Sequence, residues 1–338
     1  MVEVARSAGS WADNRRYIAA FVLRATAAAL VLLLCARLLA GLPLGDMIHV
    51  LAAASPLLIA AANLTHIVAL LSRVGRWRIL LSPVKVIPAS SLSRYIVATH
   101  SAVMLVPTRA GELVGVWALA DREGIPVVTC AACVLADKLF EGIGLMLVVA
   151  PLPWLLPLPR PAAITTEALV VGGMLVTAAA LVIARTPSLE ERVERLPGCA
   201  GIGVPLEAFR KPSAFLACSS LAVGAHLFDV CAIVVLFAAA GLHVPWAAAP
   251  LLKLALNVVF LVPAAPGQIG SFELGVVAPL LLIGADRTRA AAFAILFHLV
   301  MLLPAVLGLL WLVPLILARK GERRGAPEGV PDASAPGA

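Results

Sequence analysis

The stretch SRYIVATHSAVMLVPTRAGELVGVWALA, residues 93–120, is apolar enough to enter a bilayer, yet Pro107-Thr108-Arg109-Ala110-Gly111-Glu112 interrupts it at the centre. Proline lacks a backbone donor and its ring collides with the preceding turn, so a helix breaks here. Backbone groups freed at membrane depth are tolerable only against protein or a wet cavity. The stretch is therefore either one broken crossing or a hairpin that enters and returns on one side. Residues 246–285 repeat the pattern around Pro263-Ala264-Ala265-Pro266-Gly267-Gln268-Ile269-Gly270. Leu105-Val106-Pro107-x-x-x-Gly111 recurs as Leu261-Val262-Pro263-x-x-x-Gly267, and Ala120-Asp121-Arg122 recurs as Ala285-Asp286-Arg287.

The surrounding chain fixes the solvent. Of 338 residues, 62% are hydrophobic and 13% charged, about half the usual charged share, and mean hydropathy is +1.01. Such a chain cannot build a water-facing surface, which excludes a soluble fold, disorder, coiled coil and collagen. The net charge of +7 is accordingly read against the bilayer, and no nucleic-acid partner is expected. A span needs about 20 apolar residues. Six runs satisfy that: Tyr17 to Ala40, Ile48 to Leu71, Ile125 to Leu156, Thr166 to Ala184, Ser213 to Ala240, and Arg289 to Ala318.

Basic residues then choose between crossing and returning. With both broken regions re-entrant and the N-terminus cytoplasmic, 18 Lys and Arg lie inside against 3 outside; with both crossing, the split is 13 to 8. The positive-inside rule favours the first. The expected fold is an all-α polytopic membrane protein of six full spans plus two re-entrant helical hairpins. Three spans separate the hairpins and would place them at opposite faces, the arrangement of an inverted repeat. Residues 1–16 are expected as a cytoplasmic segment, 17–320 as one transmembrane domain with a cytoplasmic loop at 185–212, and 321–338 as a disordered cytoplasmic tail. Arg15 and Arg16 read as the charged flank of the first span. Leu189, Val193 and Leu196 suit one face of a short interfacial helix. The six cysteines lack metal-site spacing and read as buried apolar residues.

Ionisable residues within spans are costly and mark pathways or internal pairs. Arg109 and Glu112 stand three apart at the first break, where a half-helix beginning near Thr108 would aim N–H groups and a guanidinium at a phosphate or carboxylate. Mutual neutralisation is the alternative. Gly267, Gln268, Gly270 and Glu273 form the counterpart at the second break, and Lys253 is a partner for Glu273 or for a lipid phosphate. Asp137, Lys138 and Glu141 share one helix face and suit an internal pair or a proton relay. His226 and Asp229, also three apart, read as a mutually satisfied pair. His66, His100 and His298 read as hydrogen-bonded core residues. No metal site, cofactor site, phosphate loop or hydrolase motif is present, so no catalytic residue is assigned.

Arg76-Trp77-Arg78, Pro107-x-Arg109-x-Gly111-Glu112, and Pro263 through Gly267-Gln268-Ile269-Gly270 to Glu273 together resemble the flippase-like proteins related to the transmembrane region of lysylphosphatidylglycerol synthases. The resemblance covers roughly Tyr17 to Ala318. It implies translocation of a lipid between leaflets, with Arg109 and Glu112 at the first break and Glu273 at the second in the family's polar positions; Gly111 is counted with them as a substrate-binding position. The family often has a basic residue shortly after Gly-Glu, where this chain has Gly115, and a second glycine where it has Gln268. No aminoacyl-transferase domain is expected. The leading expectation is a non-enzymatic transporter of an anionic lipid or lipid-linked intermediate in a bacterial inner membrane, both termini cytoplasmic. A lipid-carrier glycosyl- or phospho-transferase and a scaffold for lipid-synthesis enzymes are the alternatives.

Overall fold

The computed structural model describes residues 26, 29–37, 40–105, 110–196, 203–260 and 266–325. Within them all regular structure is helical. Residues 29–37 are helical, while the rest of the expected first span lies largely outside the described residues. The run expected as one span from Ile48 to Leu71 is instead two helices, α1 (Leu44–Ala53) and α2 (Pro56–Leu81). Ser55 and Pro56 cause the break: the Ser55 side chain caps the Leu58 N–H, and proline at the first helical position needs no donor. Helix α2 then runs ten residues past Leu71, because no breaker occurs before Pro83.

The first broken region forms α3 (Ala89–Leu105) and α4 (Ala110–Glu123). These pack antiparallel: Gly111 lies against Val103 and Gly115 against Thr99, so four steps forward along α4 match four back along α3. The expected span Ile125 to Leu156 resolves into α5 (Val127–Val149) and a four-residue turn, α6 (Leu152–Leu155), divided at Pro151. Next comes α7 (Arg160–Arg185), then α8 (Pro187–Glu194) and α9 (Gly203–Arg210), which occupy the polar loop. In α8 Leu189 and Val193 are half-buried, and Leu196 just beyond it is exposed. Helix α10 (Pro212–Ala239) crosses against α2 and α5.

The second broken region gives α11 (Ala248–Val259), a 3-10 turn at Pro266–Gln268, and α12 (Ser271–Leu282). It too folds back, with Phe272 beside Phe260 and Gly275 against Leu256. Helix α13 (Arg287–Gly325) closes the chain and packs on both hairpins; its last turn overlaps the start of the expected tail, and 326–338 lie outside the described residues. The α3 helix also meets the 3-10 turn, so the two hairpins lie against each other.

Four helices among the described residues are long and apolar enough to cross a membrane: α2, α7, α10 and the Arg287–Trp311 part of α13. Helix α5 has comparable length but carries Asp137, Lys138 and Glu141. One apolar core gathers Trp77, Phe140 and Phe209, with Phe140 stacked on Phe209 at 4.5 Å; another gathers Phe237, Phe272, Phe293 and Phe297. Leu169, Val171, Met174, Leu175 and Val176 point outward from α7, as suits a lipid-facing helix. Cysteines 35, 130, 133 and 218 are buried as expected; Cys231 is exposed on α10, and Cys199 lies outside the described residues.

Candidate functional site

Helical spacing aims two ionic ladders at each other across the contact between α2 and α5. Arg73 and Arg76, three apart on α2, face Asp137 and Glu141, four apart on α5. Arg76 Nε donates to Asp137 Oδ1 at 2.8 Å and its Nη2 to Glu141 Oε1 at 3.1 Å. Arg73 Nε donates to Asp137 Oδ2 at 3.0 Å, and Arg73 also pairs with Glu141. Lys138 reaches Glu141 Oε2 at 3.0 Å and, across to the first hairpin, Glu112 Oε1 at 3.2 Å. Three cations thus meet three carboxylates. The Asp137 and Arg76 side chains are 2% and 1% exposed, so this compensation is what makes their burial tolerable.

A second cluster lies next to it. His66 Nδ1 donates to Asp229 Oδ1 at 2.8 Å, and Lys253, from the second hairpin, pairs with the other side of Asp229. The His66 and His100 rings lie 5.8 Å apart. His226, one turn before Asp229 on α10, donates from Nε2 to the Glu141 carbonyl at 2.9 Å and so ties α10 to the first cluster. Polar contacts therefore run from Glu112 on the first hairpin through α5 and α2 to His226 on α10, and a separate set one turn on, around Asp229, reaches His66 and Lys253 of the second hairpin; His226 Nδ1 has no partner between the two sets among the described residues. Lys138 is 32% and Lys253 20% exposed, whereas the Arg76 Nη1 group is buried and has no acceptor among the described residues.

The expected site residues divide accordingly. The pairing of Lys138 with Glu141 is as expected, but the carboxylates of α5 are held by Arg73 and Arg76. The expected second span ends at Leu71, where hydropathy falls, which leaves both arginines outside it. His226 and Asp229 do not satisfy each other; three-residue spacing sends both side chains outward to different neighbouring helices. Lys253 pairs with Asp229 and not with Glu273. Glu273 instead meets His298 at 2.6 Å and accepts the Gly270 N–H at 2.7 Å. Gly267 and Gly270 have φ of +72° and +86°, conformations that suit glycine, and Gln268 joins them at +57°. Gln268 is buried, its carbonyl accepting from the Ser271 hydroxyl. Glu112 starts the ladder, whereas Arg109 lies outside the described residues. Gly111 permits the close hairpin, since a Cβ there would stand 2.3 Å from the Val103 nitrogen.

Antiparallel helical hairpins at broken segments, together with buried ionic ladders between membrane-length helices, define a polytopic all-α membrane protein with buried polar clusters between its helices. The family model of the lysylphosphatidylglycerol synthase transmembrane region matches residues 21–308, and the chain belongs to that family. The fold and the family together make it a multi-pass membrane protein connected with lipid metabolism or translocation. A search of curated proteins finds no match to the chain. Among the described residues no group of three or more His, Cys, Asp and Glu side chains is placed to hold a metal ion.

Proposed function

We propose that this protein moves an anionic lipid, or a lipid-linked intermediate, between the leaflets of a bacterial inner membrane, with both termini cytoplasmic. The headgroup passes between the hairpins while the acyl chains stay in the bilayer. The observation that carries this reading is a pair of buried polar clusters one turn apart along α10, one reaching Glu112 of the first hairpin and the other Lys253 of the second. Ionisable groups are retained at such depth where they line a pathway. Lys138, Arg73 and Lys253 are the partly exposed cations of those clusters; Lys138 reaches the first hairpin and Lys253 stands on the second, each held by carboxylates that a lipid phosphate can displace. The role is transport and not catalysis, and the lipid is delivered by a lipid-synthesis enzyme.

Reconstitution in proteoliposomes with a fluorescent phosphatidylglycerol tests this. The wild type is expected to expose inner-leaflet lipid to an external quencher. Lys138→Met and Lys253→Met should each slow it about tenfold or more, the scale of one lost charge-assisted contact, while eluting as folded protein. A wild type no faster than empty liposomes would overturn the proposal.

A further inference from the structure

His298, on α13, has an oxygen acceptor at each ring nitrogen. Nδ1 lies 2.6 Å from Glu273 Oε1, and Nε2 lies 2.8 Å from the Gly267 carbonyl oxygen. A neutral imidazole has one N–H and one lone pair, so it can donate to only one of them. The carbonyl cannot donate. Neither can ionised Glu273, whose Oε2 already accepts the Gly270 N–H. Neutral His298 beside ionised Glu273 would set two lone pairs against each other, at 2.6 Å to Glu273 in one tautomer or at 2.8 Å to the Gly267 carbonyl in the other. Making both hydrogen bonds at once requires one further proton, carried as imidazolium with carboxylate or as a carboxylic acid donating to Nδ1.

We propose that Glu273 and His298 form a proton-binding site, and that the bound proton latches the turn of the second hairpin, residues 266–270, onto α13. The connection is serial: His298 holds the Gly267 carbonyl and Glu273, and Glu273 holds the Gly270 N–H. Between those two attachments the backbone is left-handed at Gly267, Gln268 and Gly270. A non-glycine residue such as Gln268 adopts that conformation only when its surroundings impose it. The Phe272 ring stacks on His298 with centroids 4.3 Å apart, and both members of the pair are buried. Water therefore does not replace the proton, and the aromatic face favours a cation.

Among the described residues the neighbouring charges leave the pair to itself. Cys35, on the helical segment 29–37, is the other titratable group beside Glu273 among the described residues. From α11, Lys253 is committed to Asp229. From α3, His100 faces His66, and Arg94 lies over Trp311. The latch is closed while the proton is bound and opens as pH rises. It is independent of which substrate moves, because it concerns the turn and not the lipid.

Hydrogen exchange of residues 266–275 in the full-length protein in nanodiscs tests it, from about pH 5 to about pH 10 so as to bracket free imidazole. Rates are corrected for intrinsic exchange and referenced to peptides of α10. Wild-type protection is expected to fall about tenfold or more as pH rises, as one charge-assisted hydrogen bond implies. In Glu273→Gln the amide N–H donates to Nδ1, its oxygen accepts from Gly270, and His298 donates to Gly267. Every bond is then made without a titrating proton, so protection should stay high at all pH values. His298→Ala should be unprotected throughout; if it does not fold, the comparison of Glu273→Gln with wild type decides. Flat wild-type protection, or an unchanged pH dependence in Glu273→Gln, would overturn the latch.

Discussion

Asp137 offers one oxygen to Arg73 and the other to Arg76, so its loss would leave the nearly inaccessible Arg76 guanidinium with Glu141 alone. Breaking a buried pair from one side typically costs about 3–5 kcal/mol, because a charge remains without compensation. Asp137→Ala should lower unfolding stability in detergent by that order. Adding Arg76→Met should recover much of it by removing the stranded charge, and a double variant no more stable than the single one would refute this account. The carboxylates were legible in the sequence, since their spacing puts them on one face of α5. Their partners were not. Arg73 and Arg76 depress local hydropathy enough to mimic a loop, although the backbone from Pro56 to Leu81 has no breaker. His226 and Asp229 show the complementary error: spacing gives a shared face but is silent about what stands opposite.

Each hairpin is set by how closely its two halves can approach. At Gly111 the obstacle to a side chain is the α3 backbone, with Val103 N at 2.3 Å and Ala102 C at 2.4 Å. At Gly115 it is the Thr99 hydroxyl at 2.2 Å, the end of a side chain. Both Gly111→Ala and Gly115→Ala should destabilise by about 1–3 kcal/mol, the usual cost of overpacking. Thr99→Ala should recover most of the loss for Gly115→Ala and little for Gly111→Ala, a difference read from unfolding midpoints in a double-mutant cycle. Equal recovery of both would mean that the halves are not packed this closely. Pro107 and Pro263 made the two breaks legible, whereas the break between α1 and α2 was hidden in an Ala-rich run. Only Ser55 before Pro56 signals it, a capping pair that hydropathy does not weigh.

At the scale of the whole molecule, helix length sets the expectation for the side on which each loop emerges. Helices α5, α7 and α10 have 23, 26 and 28 residues, and at about 1.5 Å per residue each exceeds a hydrocarbon core of about 30 Å. Helices α11 and α12 have 12 residues each, about 18 Å, and fold back on one another, the form expected of a hairpin that returns to the side it left. Three crossings and one return would separate Asp121 from Asp286 and put them on opposite sides. Moving Arg73 and Arg76 into the buried ladder removes two from the 18 inside and leaves 16 against 3, so the positive-inside preference is unchanged. In a cysteine-free background, Asp121→Cys should react with a membrane-impermeant maleimide only in inverted vesicles. Asp286→Cys should react in spheroplasts. If both react from the same side, one broken region crosses the membrane, and the opposed placement on which an inverted repeat depends is lost. If both positions react with sides exchanged, the hairpins stand but the termini lie outside, against the charge distribution.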